Sequence, residues 1–120
     1  MEKNKRIELG RKGEREAEKY LKKKGYRILD RNFRIKGGEL DLVAEKDGEI
    51  VFVEVRTRER DDFMDPIFSI TPKKRRSLRR AAEVYLLSRG LDLAPCRFDV
   101  ITLVREGNSL KINHYENIFI

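Results

Sequence analysis

The sequence predicts an α/β fold, a mixed central β-sheet flanked by α-helices. Three observations predict it. Apolar residues recur at helical spacing in two segments, Ala17-Tyr20-Leu21 and Leu78-Ala81-Ala82-Tyr85-Leu86. Shorter runs rich in Val, Ile and Phe, bounded by Gly, Asn and Asp, read as strands. The resulting order, α-β-β-β-α-β-β, fits a mixed sheet with helices packed on it. The 120 residues suffice for a single core, so residues 1–120 read as one domain.

The elements follow in order. Residues 7–24 read as a helix, with Gly25 just past its end. Gly10, Gly13 and Glu14 lie on the same stripe as Ala17 and Leu21. Glycine weakens a helix, so either these two admit close backbone approach or the helix begins after residue 10. Residues 26–35 read as an edge strand broken near Asp30 to Asn32, followed by a turn at Gly37-Gly38. Residues 39–45 and 50–56 are two strands joined around Asp47-Gly48, a strong hairpin signal. Residues 57–70 show no clean period and read as a long loop. Thr71 suits the N-cap of a second helix and Pro72 its first position. That helix runs to about Ser88 and ends at Gly90. Residues 97–104 and 110–115 form the last two strands, with Gly107-Asn108 between them. Tyr26, Phe33, Phe52 and Phe98 alternate with apolar neighbours and read as core.

Charge narrows the function classes. Charged residues make up 41% of the chain, the net charge is +7, and the basic balance favours nucleic acid or an anionic surface as partner. No apolar run is long enough to span a membrane, and no apolar stretch follows the charged N-terminus, so a cytoplasmic protein without a membrane partner is expected. Cys96 is the sole cysteine and His114 the sole histidine. Intramolecular disulfides, cysteine-based zinc sites and histidine-rich metal sites are thereby excluded. A metal here is held mainly by oxygen, which points to magnesium or manganese. Residues 73–89 carry seven basic residues (Lys73, Lys74, Arg75, Arg76, Arg79, Arg80 and Arg89) against Glu83 alone. Arg76, Arg79 and Arg80 fall on the side away from Leu78, Ala82 and Leu86. Such a stripe suits phosphate contacts. Its bland reading is a solvated helix face, and the concentration of charge in one element favours binding.

The hairpin carries the sharpest chemistry. A two-residue turn at Asp47-Gly48 sets Asp41 opposite Glu54 and Glu39 opposite Arg56. Directly opposed side chains have Cβ atoms about 4.5–5.5 Å apart. Two carboxylates so placed repel unless a divalent cation, a nearby arginine or lysine, or a raised pKa compensates. The alternatives are a metal site and a salt-bridge ladder with Arg34, Arg56 and Arg58. Glu14 lies three residues before Ala17 and seven before Leu21, so it faces the sheet, and a core-facing carboxylate needs a partner.

The runs Gly38-Glu39-Leu40-Asp41-Leu42-Val43 and Phe52-Val53-Glu54-Val55-Arg56-Thr57-Arg58 resemble the YraN-like family of uncharacterised bacterial proteins. Glu14 to Leu21, the Thr71 to Leu86 helix and Cys96-Arg97-Phe98-Asp99-Val100 extend the resemblance over nearly the whole chain. It implies the restriction-endonuclease-like, or PD-(D/E)xK, fold and a likeness to archaeal Holliday-junction resolvases. By that resemblance Asp41 and Glu54 bind Mg2+ or Mn2+ with Glu14 assisting. The position two residues after the second acid belongs to a lysine that orients the attacking water, and here it is Arg56. Arginine steadies a phosphate but does not act as a general base, and Lys36 and Lys74 are candidate replacement amines. The implied activity is a metal-dependent endonuclease on structured or branched nucleic acid, with Asp41, Glu54 and Arg56 as catalytic residues. Lys74, Arg76, Arg79, Arg80 and Arg58 are the expected nucleic-acid contacts. The alternatives are a binding domain that keeps the fold without cleaving, and a protein-interaction subunit whose acids are structural. The resemblance also implies a homodimer, with residues 57–70 as a candidate contributor to its interface.

Overall fold

The turn between the second and third strands shows how local chemistry sets this fold. Asp47 and Gly48 both adopt positive φ, 52° and 81°, the geometry whose twist matches a two-residue hairpin. In the computed structural model, which describes residues 3–59 and 70–118, the elements are α1 (Lys3–Lys23), β1 (Arg27–Ile35), β2 (Gly38–Lys46), β3 (Glu49–Glu59), α2 (Pro72–Ser88), β4 (Cys96–Glu106) and β5 (Ser109–Tyr115). The strands lie in chain order across one sheet. Neighbours are antiparallel except β3 and β4. Those two are parallel because α2 carries the chain back between them.

The expected order of elements is the observed one, and three elements differ in extent or continuity. α1 begins by Lys3, so both Gly10 and Gly13 lie inside it. β1 is continuous, and its irregularity is a register shift between Ile28 and Asp30, with Asn32 at φ 50°. β3 continues to Glu59, so the first three residues of the expected loop are strand. Residues 60–69 of that loop lie outside the described residues. The start of α2 is as expected: the Thr71 hydroxyl accepts from Lys74 N–H at 3.1 Å, with Pro72 opening the helix.

Among the described residues, each face of the sheet carries one helix. Ala17 and Leu21 of α1 pack with Leu42, Val51, Val53, Ile101 and Leu103. Leu78, Ala82 and Tyr85 of α2 pack with Ile50, Phe52 and Val100 on the other face. Covering both faces explains why Ile50-Val51-Phe52-Val53 reads as an unbroken apolar run. Gly13 is buried where α1 crosses β3, and a Cβ there would collide with the Thr57 side chain. This close approach fixes Glu14, the next residue, beside the end of the sheet. Gly10 meets no such constraint.

The pleat of β2 changes phase at Asp41. Strict alternation puts Leu40 and Leu42 on one face, yet Leu40 packs on the α2 side and Leu42 on the α1 side. The pairing of β2 with β3 runs only from Lys46↔Glu49 to Leu42↔Val53. Beyond it, β2 stays with β1 as far as Ile35↔Gly38, and β3 stays with β4 as far as Glu59↔Arg105. The sheet therefore forks between β2 and β3, at Asp41 and Glu54.

Candidate functional site

The expected hairpin register is correct, but it stops one residue short of the acid pair. Asp41 replaces the missing ladder contact with its side chain: Oδ2 accepts from Val55 N–H at 2.8 Å. Glu54 follows Ile50 and Phe52 on the α2 face and is only 4% exposed. Its Oε2 lies 3.1 Å from Arg56 Nη2 and 3.7 Å from Lys74 Nζ. Its Oε1 is buried with no hydrogen-bond partner. Burial, then the charge of Asp41 and a hydrogen bond with it, push the Glu54 carboxyl up to about 8, against the opposing pull of Lys74 and Arg56. Toward Asp41, Glu54 can share only a proton or a cation.

Glu14 approaches from the opposite face. It lines an open pocket with Ile7, Arg11, Asn32, Arg34 and Asp41. Partial burial, then the charges of Asp41 and Glu39, raise its carboxyl to about 7. Asp41 thus stands in the fork with its charge felt by Glu14 on one side and Glu54 on the other. Glu39 pairs with Arg34 at 3.2 Å rather than with the expected Arg56. Of the salt-bridge ladder considered for these strands, the Arg34–Glu39 and Arg56–Glu54 links are present.

The basic residues divide. Lys74, expected as a nucleic-acid contact, turns toward Glu54. Arg76, Arg79 and Arg80 are exposed. The Arg80 guanidinium reaches over the turn at Gly37, 3.2 Å from where a Cβ on that glycine would stand. Arg58 is half-buried and donates to the Thr57 carbonyl at 3.0 Å. Arg89 is committed to Asp30 at 2.7 Å. The stripe therefore stands on the α2 side of the sheet, the side that Glu54 faces.

A second polar cluster was not legible in the chain. Asp99, His114 and Glu116 bring one ligand atom each within 4.8 Å of one another and could hold a metal ion, the one such group among the described residues. The oxygens of Glu14, Asp41 and Glu54 do not close to that span. Protein groups already serve the Asp99 cluster. Arg97 Nε donates to Asp99 Oδ1 at 2.9 Å, and Arg97 also reaches Glu49 at 2.9 Å and Glu116 at 3.2 Å. His114 Nε2 lies 2.8 Å from Asp99 Oδ2 and its Nδ1 3.2 Å from Tyr20 Oη. Asn117 N–H donates to Asp99 Oδ1 at 3.0 Å. The available signal was an aspartate inside the apolar run Phe98 to Leu103, where a carboxylate needs partners.

Comparison with known proteins places the chain. A family model described as "Uncharacterised protein family UPF0102" matches residues 13–103. The chain belongs to the UPF0102 family. This is the YraN-like family that the two acidic motifs resemble, and the matched span holds Glu14, Asp41, Glu54, Arg56, Lys74 and Asp99. A UPF0102 protein of Syntrophomonas wolfei is 49% identical over 112 residues, covering 93% of this chain and 97% of the relative. One from Carboxydothermus hydrogenoformans is 46% identical, covering 94% and 96%. One from Pelotomaculum thermopropionicum is also 46% identical, covering 92% and 94%. The family spans nearly the whole chain and carries no stated activity. Among the described residues no helix is long and apolar enough to cross a membrane.

Proposed function

We propose that this UPF0102 chain is a metal-dependent endonuclease of the restriction-endonuclease-like fold, acting on phosphodiester bonds in structured or branched nucleic acid. One observation carries the reading: a forked sheet sets two carboxylates together and leaves a buried oxygen of Glu54 without a donor. Arg56 and Lys74 serve only the other oxygen, and a desolvated carboxylate left half-served is costly unless a proton or a cation completes it. The fork lies in the second half of β3, toward the carboxyl end of the parallel pair, where open α/β sheets commonly bind ligands.

The donors are carboxylate oxygens, which fit Mg2+ or Mn2+. Asp41 and Glu54 would hold the ion, with Glu14 assisting from the α1 side. Such an ion supplies a Lewis acid beside the phosphate and activates water for attack. Arg56 holds a fixed positive charge against the phosphate. Arg76, Arg79, Arg80 and Arg58 supply contacts to the backbone that position nucleic acid without reading sequence.

The test is incubation with a four-way DNA junction, single-stranded DNA and duplex DNA, with and without Mn2+, alongside Asp41→Asn. Metal-dependent cleavage that disappears in the variant is expected. Salt-sensitive binding with no cleavage would instead support a non-catalytic nucleic-acid-binding domain, the reading favoured by Arg56 in the lysine position. Neither cleavage nor binding removes both.

A further inference from the structure

α1 carries two glycines, and only one of them has a reason in packing. Gly13 lies against Thr57, where a Cβ would collide. A Cβ on Gly10 would meet nothing within 4 Å. Glycine inside a helix weakens it relative to alanine, so Gly10 costs stability and relieves no contact. It lines an open cavity of about 680 Å³. Ile7, Gly10, Arg11 and Glu14 form the α1 wall of this cavity at helical spacing. Asn32 and Arg34 of β1, with Glu39 and Asp41 of β2, form the other wall. A side chain at residue 10 would stand in this space.

The lining offers groups that the protein itself leaves unused. Ile7 is an apolar side chain left 43% exposed. Arg11 is exposed and makes no ion pair among the described residues, though its charge is felt at Glu14. The Asn32 amide makes no hydrogen bond among the described residues. Asn32 also holds a positive φ of 50°, which glycine adopts at less cost, so the backbone alone does not call for an amide there. The cavity thus presents an apolar edge, a bare stretch of helix backbone, an amide that both donates and accepts, and a cation. A nucleotide matches that set, with a flat base, an edge of mixed donors and acceptors, and an attached phosphate. The volume lies within the range of small-ligand sites.

We propose that the cavity beside α1 takes one unpaired nucleotide of the nucleic acid. The base lies against Gly10 and Ile7, the Asn32 amide meets its edge, and Arg11 meets its phosphate. Asp41 both lines the cavity and stands in the fork, so the nucleotide enters beside the acid pair. The two faces of the fork then divide a branched substrate. Its paired part runs along the Arg76–Arg79–Arg80 stripe on the α2 side, and the unpaired nucleotide turns under α1. The proposal rests on the reading of the fork as a nucleic-acid site, and it names what that site selects: a boundary between paired and unpaired strands. It does not rest on cleavage.

The experiment therefore reads binding and stability. Wild type, Gly10→Leu and Asn32→Gly are titrated in Ca2+ with two fluorescent DNA hairpins, one blunt and one with a single-stranded tail, and each protein is melted without DNA. The wild type should bind the tailed hairpin more tightly. Gly10→Leu fills the cavity and should weaken tailed binding on the order of tenfold, the loss of one seated base, with blunt binding unchanged. Asn32→Gly removes only the amide and should weaken tailed binding by less. Neither variant should lower the Tm, because leucine favours the helix and glycine suits the backbone of residue 32. A tailed hairpin bound by either variant as tightly as by the wild type overturns the assignment. So does a wild type without preference for the tail, or equal weakening of both hairpins. A fall in Tm for Gly10→Leu also overturns it, since the space would then be packed rather than open. Wild type that binds neither hairpin removes the cavity together with the proposed function. Tail-selective binding lost in Gly10→Leu, in a protein that never cleaves, keeps the cavity and removes only the nuclease.

Discussion

Glu54 and Asp99 are nearly equally buried, at 4% and 1% exposed, and each faces an arginine, yet they differ in charge behaviour. They lie on neighbouring strands and on opposite faces of the sheet. Burial pushes both carboxyls up. For Asp99, hydrogen bonds from His114, Arg97 and the Asn117 N–H outweigh it and hold the group below the ordinary aspartate value. For Glu54 the negative charge of Asp41 adds to burial, the two outweigh the pull of Lys74 and Arg56, and the carboxyl rises to about 8. Burial alone does not decide whether a carboxylate stays ionised. The supply of donors decides it. The Asp99 network is complete and ties α1, β4 and β5 together through Tyr20, Arg97 and His114. The Glu54 site is incomplete: one of its carboxylate oxygens is buried without a hydrogen-bond partner.

The largest expected effect breaks the complete side. Arg97→Met would leave Asp99 buried without its principal cation, and removing one partner of a buried pair costs about 3–5 kcal/mol. Denaturant unfolding measures it, and a loss comparable to a surface substitution would contradict the network's structural role.

The next separates the placement of Glu14 from its charge. Gly13→Ala puts a methyl group into the Thr57 side chain, and overpacking of this kind costs about 1–3 kcal/mol. Unfolding of Gly13→Ala beside Gly10→Ala, where nothing crowds the added Cβ, checks it: both lose the flexibility of glycine, and only the first should be destabilised.

The smallest effect has the opposite sign. Glu54→Gln removes a buried acid with one oxygen left without a donor, so metal-free protein at alkaline pH should gain on the order of 1 kcal/mol. The pH dependence follows from the raised pKa values. Glu14 at about 7 and Glu54 at about 8 bind protons more tightly folded than unfolded. Their contribution is present below their ordinary value of 4.5 and is lost as pH rises toward 8. Thermal melting across that window, without metal, should show the wild type declining and Glu54→Gln declining less. Mn2+ should raise the Tm of the wild type above pH 7 and leave the variant unmoved.

Much of this was legible in the chain because it is local. Asp47-Gly48 specifies its own turn, and the turn fixes the register of β2 against β3. Thr71-Pro72 specifies the start of α2, and helical phase turns Glu14 inward. The YraN-like motifs lie in these same segments, so family membership was legible too. What the chain alone left open is where β2 and β3 part, because the fork depends on β1 holding one strand and β4 the other. It also left open which cation serves which acid. Lys74 is twenty residues past Glu54 in sequence, and its ammonium meets that carboxylate only because α2 crosses this face of the sheet. Asp99, His114 and Tyr20 come together from three separate elements. Local backbone preference determined the pieces and the pairing of the hairpin. Packing against distant strands and helices decided which buried polar groups found partners and which, at Glu54, Arg56 and Thr102, did not.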